Sequence, residues 1–94
     1  MNIQTSKIIE YLRNQPVKRA WLFGSYSEGT ATESSDIDIL VELDHSQPIG
    51  LYFVQMVLDL ENILNKKVDL LTEKGISPFV KPYIDKQKTM IYKR

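Results

Sequence analysis

The chain has no cysteine, one histidine, one tryptophan and no hydrophobic run near the length of a membrane span. Without cysteine there is no disulfide framework and no thiolate zinc site. His45 has no second histidine to share a metal, and it sits in a polar stretch beside Ser46 and Gln47, so it reads as solvent-exposed. A membrane helix needs about 18 uninterrupted apolar residues, and no basic-then-apolar start suggests a signal peptide. A cytoplasmic protein without a membrane role is expected. Internal repeats, low-complexity tracts and linkers are also missing, and 94 residues are too few to divide, so residues 1–94 read as a single domain. Hydrophobic residues at 43% and charged residues at 26% exclude a disordered chain.

Net charge is zero, but the signs are segregated. Six acids (Glu28, Glu33, Asp36, Asp38, Glu42, Asp44) fall between residues 28 and 44 with no base among them. From Lys66 to Arg94 there are eight bases against three acids. Such a division suits either an unevenly solvated surface or an acidic pocket that takes cations beside a basic flank that tolerates an anion. The C-terminal bases are scattered rather than arranged as an arginine-rich stripe, so sequence-specific DNA binding is not expected.

Periodicity sets out the elements. Ile8, Ile9, Tyr11 and Leu12 recur at helical spacing over residues 6–14, and Pro16 stops that helix. Residues 18–23 read as a strand, with Trp21 and Phe23 in the core, ended by Gly24. Residues 24–35 form a Gly/Ser/Thr-rich loop with room for one helical turn. From 36 to 43 the chain alternates: Ile37, Ile39, Val41 and Leu43 share one face, and Asp36, Asp38, Leu40 and Glu42 the other. Residues 51–64 fit a helix expected to bury Leu51, Val54, Val57 and Leu58, with Leu60 and Ile63 beside them. A third strand over 67–71, a short helix over 78–86 and a last strand over 90–92 complete an α/β (α+β) domain with a mixed sheet of three to four strands. Lys66 and Lys67 are placed to cap the helix before them.

Chemistry concentrates at Asp36-Ile37-Asp38. Two carboxylates at i and i+2 on a strand point the same way, roughly 6–7 Å apart. At an effective dielectric near 20 they repel by about 2–3 kcal/mol, which a hard divalent cation relieves. Asp69 interrupts the apolar run Val68-Asp69-Leu70-Leu71. It either meets water or Lys66 and Lys67 at a strand end, or joins Asp36 and Asp38 from a neighbouring strand. Three acids can hold two metal ions about 3.5–4 Å apart for phosphoryl transfer. Gly24-Ser25 leaves a strand with backbone N–H groups available to an anion. Gly24 and Gly29 have P-loop spacing, but Thr30 stands where the P-loop lysine belongs, which rejects that motif.

Leu22-Phe23-Gly24-Ser25-Tyr26-Ser27-Glu28-Gly29, then Ser35-Asp36-Ile37-Asp38-Ile39-Leu40-Val41, with Lys66-Lys67-Val68-Asp69-Leu70-Leu71 later, resembles the signature of the DNA polymerase beta superfamily. The likeness is closest to the minimal nucleotidyltransferases (MNT), many of them antitoxins paired with HEPN-domain toxins. The resemblance implies a polymerase-beta-like nucleotidyltransferase fold. It implies that Gly24 and Ser25 bind nucleotide phosphates, that Asp36 and Asp38 hold metal, and that Asp69 completes a two-Mg2+ site and helps activate the attacking hydroxyl. It further implies transfer of AMP from ATP to a partner protein, with a HEPN toxin as partner, and part of the pocket supplied by that partner or by a homo-oligomer. Two departures stand out. The family often has Ala and then a basic residue before its second glycine, where this chain has Ser27 and Glu28. Glu28 adds repulsion near a triphosphate. An antitoxin that masks its toxin by contact alone, and a transferase acting on RNA or a small molecule, are the alternatives. Tyr26 reads as a surface aromatic in this loop.

Overall fold

The computed structural model describes residues 5–32, 34–46 and 49–94, the Glu28 side chain excepted. In chain order the elements are α1 (Thr5–Leu12), β1 (Val17–Phe23), α2 (Ser25–Glu28), β2 (Ile37–Leu43), α3 (Tyr52–Leu64), β3 (Val68–Thr72), a 3-10 turn (Glu73–Gly75), α4 (Lys81–Gln87) and β4 (Thr89–Lys93). The four strands form one sheet in the order β3-β2-β1-β4. β1 runs antiparallel to β2 and β4, and β2 runs parallel to β3. This is the mixed sheet with flanking helices expected from the periodicity, with each strand within one or two residues of its expected ends.

The alternation of β2 decides the layers. Ile37, Ile39 and Val41 are fully buried on one face, with Ala20 and Leu22 of β1, under Ile8 and Leu12 of α1 and Met56 and Leu60 of α3. Burial of each large aliphatic side chain contributes about 1.5–3 kcal/mol, so this face carries most of the fold. Leu40 on the other face is also fully buried, in a smaller cluster with Trp21 of β1 and Ile84 of α4, and Phe23 packs against it. The second face is therefore half covered: α4 lies over its middle, and the end bearing Asp38 stays free of that cluster. Among the described residues no helix is long and apolar enough to cross a membrane.

Two expectations are corrected. α3 buries Met56 and Leu60, with Phe53, Val57 and Leu64 partly buried, whereas Leu51 (85% exposed), Val54 (56%) and Leu58 (54%) face outward. The helix carries two apolar stripes, and periodicity does not say which one meets the sheet. The helix ends on Asn65, which takes the left-handed conformation (φ 53°) that asparagine tolerates better than most residues. Tyr26 does not stand at the surface, since its ring packs partly buried against the main core.

Candidate active site

Three chain segments meet at one end of the sheet: the exit of β1, the entry of β2 and the entry of β3. The register brings Phe23 opposite Asp38 across the antiparallel pair, and Asp38 beside Asp69 across the parallel pair. Two hydrogen bonds fix where β3 begins and hence where Asp69 stands. Ile37 N–H donates to the Lys67 carbonyl at 2.9 Å, and Val68 N–H donates to Glu61 Oε2 of α3 at 3.0 Å. Asp69 is exposed and Asp38 is half-buried. Asp36, expected within the strand, lies half-buried just before β2 begins.

The two paired acids crowd each other. Partial burial, the Asp69 carboxylate within hydrogen-bonding reach, and more weakly Asp36, push the Asp38 carboxyl up to about 6. A carboxylate pair in parallel register cannot comfortably hold two negative charges; it shares a proton or takes a cation. The donor set, carboxylate oxygens only, fits a hard divalent ion such as Mg2+. Among the described residues no three His, Cys, Asp or Glu side chains are gathered as a ready metal cluster. Of the three acids singled out in the sequence, the structure pairs Asp38 with Asp69 across the parallel strands, and Asp36 acts on Asp38 more weakly through its charge.

Gly24 is the hinge between the strand and α2. Its φ of 71° with ψ of −149° is a conformation that glycine alone adopts readily. A Cβ at this position would run into Asp38 Oδ2. So the chain passes against the Asp38 carboxyl only because no side chain intervenes, and the N–H groups that begin α2 at Ser25 start beside the acids. No side chain caps this helix start, and Gly29 closes its other end in the left-handed conformation, its N–H donating to the Ser25 carbonyl. The expected repulsion from Glu28 concerns a side chain outside the described residues.

Features that sequence reasoning missed surround this loop. Ser27 Oγ donates to the Gln87 carbonyl and lies 3.0 Å from Thr89 Oγ1, tying α2 to the junction of α4 and β4. Lys88 Nζ, within that junction, sits 4.5 Å from the Trp21 ring centroid and pairs with Asp85 at 3.0 Å. No local pattern signals the Ser27 contact, because Ser27 lies 60 residues from Gln87 in the chain.

Residues 5–91 match the family model described as nucleotidyltransferase domain. A Methanocaldococcus jannaschii protein named "Putative protein adenylyltransferase MJ0435" is 45% identical over 78 residues, covering 83% of each chain. Among solved structures, a chain of a toxin-antitoxin crystal structure with AMP-PNP superposes with a TM-score of 0.83 at 28% identity, over 98% of this chain and 75% of that one. A chain from the structure of a tri-AMPylated Shewanella oneidensis HEPN toxin in complex with MNT antitoxin gives a TM-score of 0.72 at 25% identity, over 96% of this chain and 70% of that one.

Proposed function

Because the chain belongs to the nucleotidyltransferase domain family, we propose that residues 1–94 form one minimal nucleotidyltransferase domain that transfers AMP from ATP to a partner protein. The partner is a HEPN-domain toxin, and the modification neutralises it. The observation that carries this reading is the contact between Asp38 and Asp69 beside Gly24. It joins a cation-hungry carboxylate pair to a bare backbone turn at one open end of the sheet. The names of similar proteins support protein as acceptor, and the toxin-antitoxin structures support a HEPN partner.

In this reading the N–H groups at Gly24-Ser25 hold triphosphate oxygens, and Asp38 and Asp69, with Asp36 from the chain before β2, hold Mg2+. Bound Mg2+ supplies neutralisation of charge on the triphosphate and the leaving pyrophosphate. The acceptor hydroxyl oxygen bonds to the α-phosphorus, the bond from that phosphorus to the bridging oxygen breaks, and pyrophosphate leaves. The hydroxyl proton passes to the Asp69 carboxylate, which is exposed where an acceptor arrives. α4 shields the middle of this face and leaves the acid end uncovered, so the acceptor and part of the wall come from another molecule.

One observation favours a second reading, an antitoxin that acts by contact alone: the three acids are not gathered into one cluster among the described residues. Label transfer decides. The protein is incubated with Mg2+ and α-phosphate-labelled ATP in a lysate containing the candidate toxin, beside an Asp36→Asn, Asp38→Asn control. A labelled protein band that vanishes in the control is the expected result. A label sensitive to nuclease redirects the acceptor to RNA, and no label with the toxin present overturns transfer in favour of masking.

A further inference from the structure

The phosphate-loop helix α2 is four residues long, too short to hold its place by its own hydrogen bonds. It is anchored from two sides. On one, Tyr26 packs into the main core. On the other, Ser27 reaches the α4–β4 junction, donating to the Gln87 carbonyl and meeting Thr89 Oγ1. That junction is itself fixed. Lys88 lies over Trp21 with its ammonium shared between Asp85 at 3.0 Å and Glu73 at 3.7 Å, and Thr89 pairs with Leu22 in the sheet.

We propose that Ser27 is a positioning residue for the nucleotide: its hydroxyl locks α2 against the α4–β4 junction and so fixes the Gly24-Ser25 backbone relative to Asp38. This rests on the phosphate-binding role given above to Gly24-Ser25, and it adds a residue whose side chain faces away from the acids. The argument is geometric. The turn at Gly24 passes directly against the Asp38 carboxyl, so a small rotation of α2 moves its first N–H groups relative to the acids. Without the Ser27 hydroxyl, Tyr26 is the only side-chain anchor left of the two, and α2 can rock about it.

The test is Mg2+-ATP binding by calorimetry on the full chain, beside melting curves, for wild type, Ser27→Ala and Ser27→Thr. Removing one such hydrogen bond is expected to weaken Mg2+-ATP binding by about 3–10-fold in Ser27→Ala. The melting temperature should fall by no more than the several degrees that one such hydrogen bond is worth in a domain this small, and Ser27→Thr, which keeps the hydroxyl, should restore most of the affinity. Hydrogen exchange at the α2 amides should accelerate in Ser27→Ala alone. Unchanged affinity in Ser27→Ala with a lowered melting temperature assigns Ser27 a merely structural role and overturns the inference while the function stands. A wild-type chain that does not bind Mg2+-ATP overturns both.

Discussion

The two ends of β2 carry aspartates with opposite fates. At its start, Asp38 faces Asp69 and, among the described residues, draws no compensation from a basic side chain, and its carboxyl is pushed up to about 6. Just past its end, Asp44 accepts from the Ser46 N–H at 3.0 Å and hydroxyl at 2.6 Å, and pairs with Arg94 at 2.6 Å. Those partners hold the Asp44 carboxyl far below the usual carboxylate range, the Ser46 hydroxyl most of all, then Arg94. Both acids sit near the ends of one central strand, whose Ile37, Ile39 and Val41 are packed in the main aliphatic core. One is supplied with everything a carboxylate needs and ties the C-terminal residue to the β2–α3 turn. The other is left in deficit beside a second acid, where only an ion from outside completes it. The deficit supports the proposed site at this end, since folding alone gives no reason to set two acids side by side.

The sharpest way to break this contrast is Asp38→Asn. Transfer should fall on the order of 10³-fold, because a neutral amide cannot share a divalent ion with Asp69. The metal-free protein should at the same time melt higher at neutral pH, since the substitution removes the repulsion with Asp69 and keeps the shape. Label incorporation and a melting curve on one preparation measure both. Activity within tenfold of wild type would remove the metal role from Asp38. Between the two ends, Ile39→Ala should lower stability by about 2–5 kcal/mol in denaturant unfolding, because Ile39 is fully buried in the main core. A native-like unfolding curve would mean that the aliphatic face does not carry the fold as argued.

How much of this could be read from residues alone follows from range. The faces of β2 were legible because a period of two leaves each residue a single side, so the placement of Ile37, Ile39 and Val41 against Asp38 and Glu42 came directly from alternation. The pairing of Asp38 with Asp69 was suggested by a charge in an apolar run, but its geometry depends on strand register, which the Lys67 carbonyl and, from outside the motif, Glu61 set. The inward side of α3 was misread because Leu51, Val54 and Leu58 form as regular a stripe as Phe53, Met56, Val57 and Leu60. The docking of α3 on α1 and the sheet chooses between them. Leu40 was assigned correctly to the acid-bearing face, yet its complete burial depends on α4, more than 40 residues later. Contacts such as Ser27 with Thr89 join distant segments and leave no trace in local periodicity.

At the Asp44 end the substitution Asp44→Asn should lower the melting temperature and leave transfer unchanged, because it disturbs the Ser46 turn and the Arg94 pair far from the acids. Lost transfer would mean that the two ends are coupled.

The smallest effect, and the one that compares both ends in a single titration, is the pH dependence of stability. Asp38 binds its proton more tightly folded than unfolded, from an ordinary value of 3.8 up to about 6. Between those values the folded state therefore carries more protons, and stability falls as pH rises from about 4 to above 6. Asp44 runs the other way: its carboxyl is lowered, so its contribution is complete above about pH 4 and is lost as pH falls further. In the metal-free protein the window from 4 to 6 should thus show a decline that belongs to Asp38 and disappears in Asp38→Asn, while the acid limb below 4 weakens in Asp44→Asn alone. Saturating Mg2+ should cancel the decline, since an ion bound only by the folded state stabilises it by about 2.7 kcal/mol at a hundredfold excess over Kd. A decline that persists in Asp38→Asn and ignores Mg2+ would place its origin elsewhere in the chain and dissolve the contrast between the two ends of the strand.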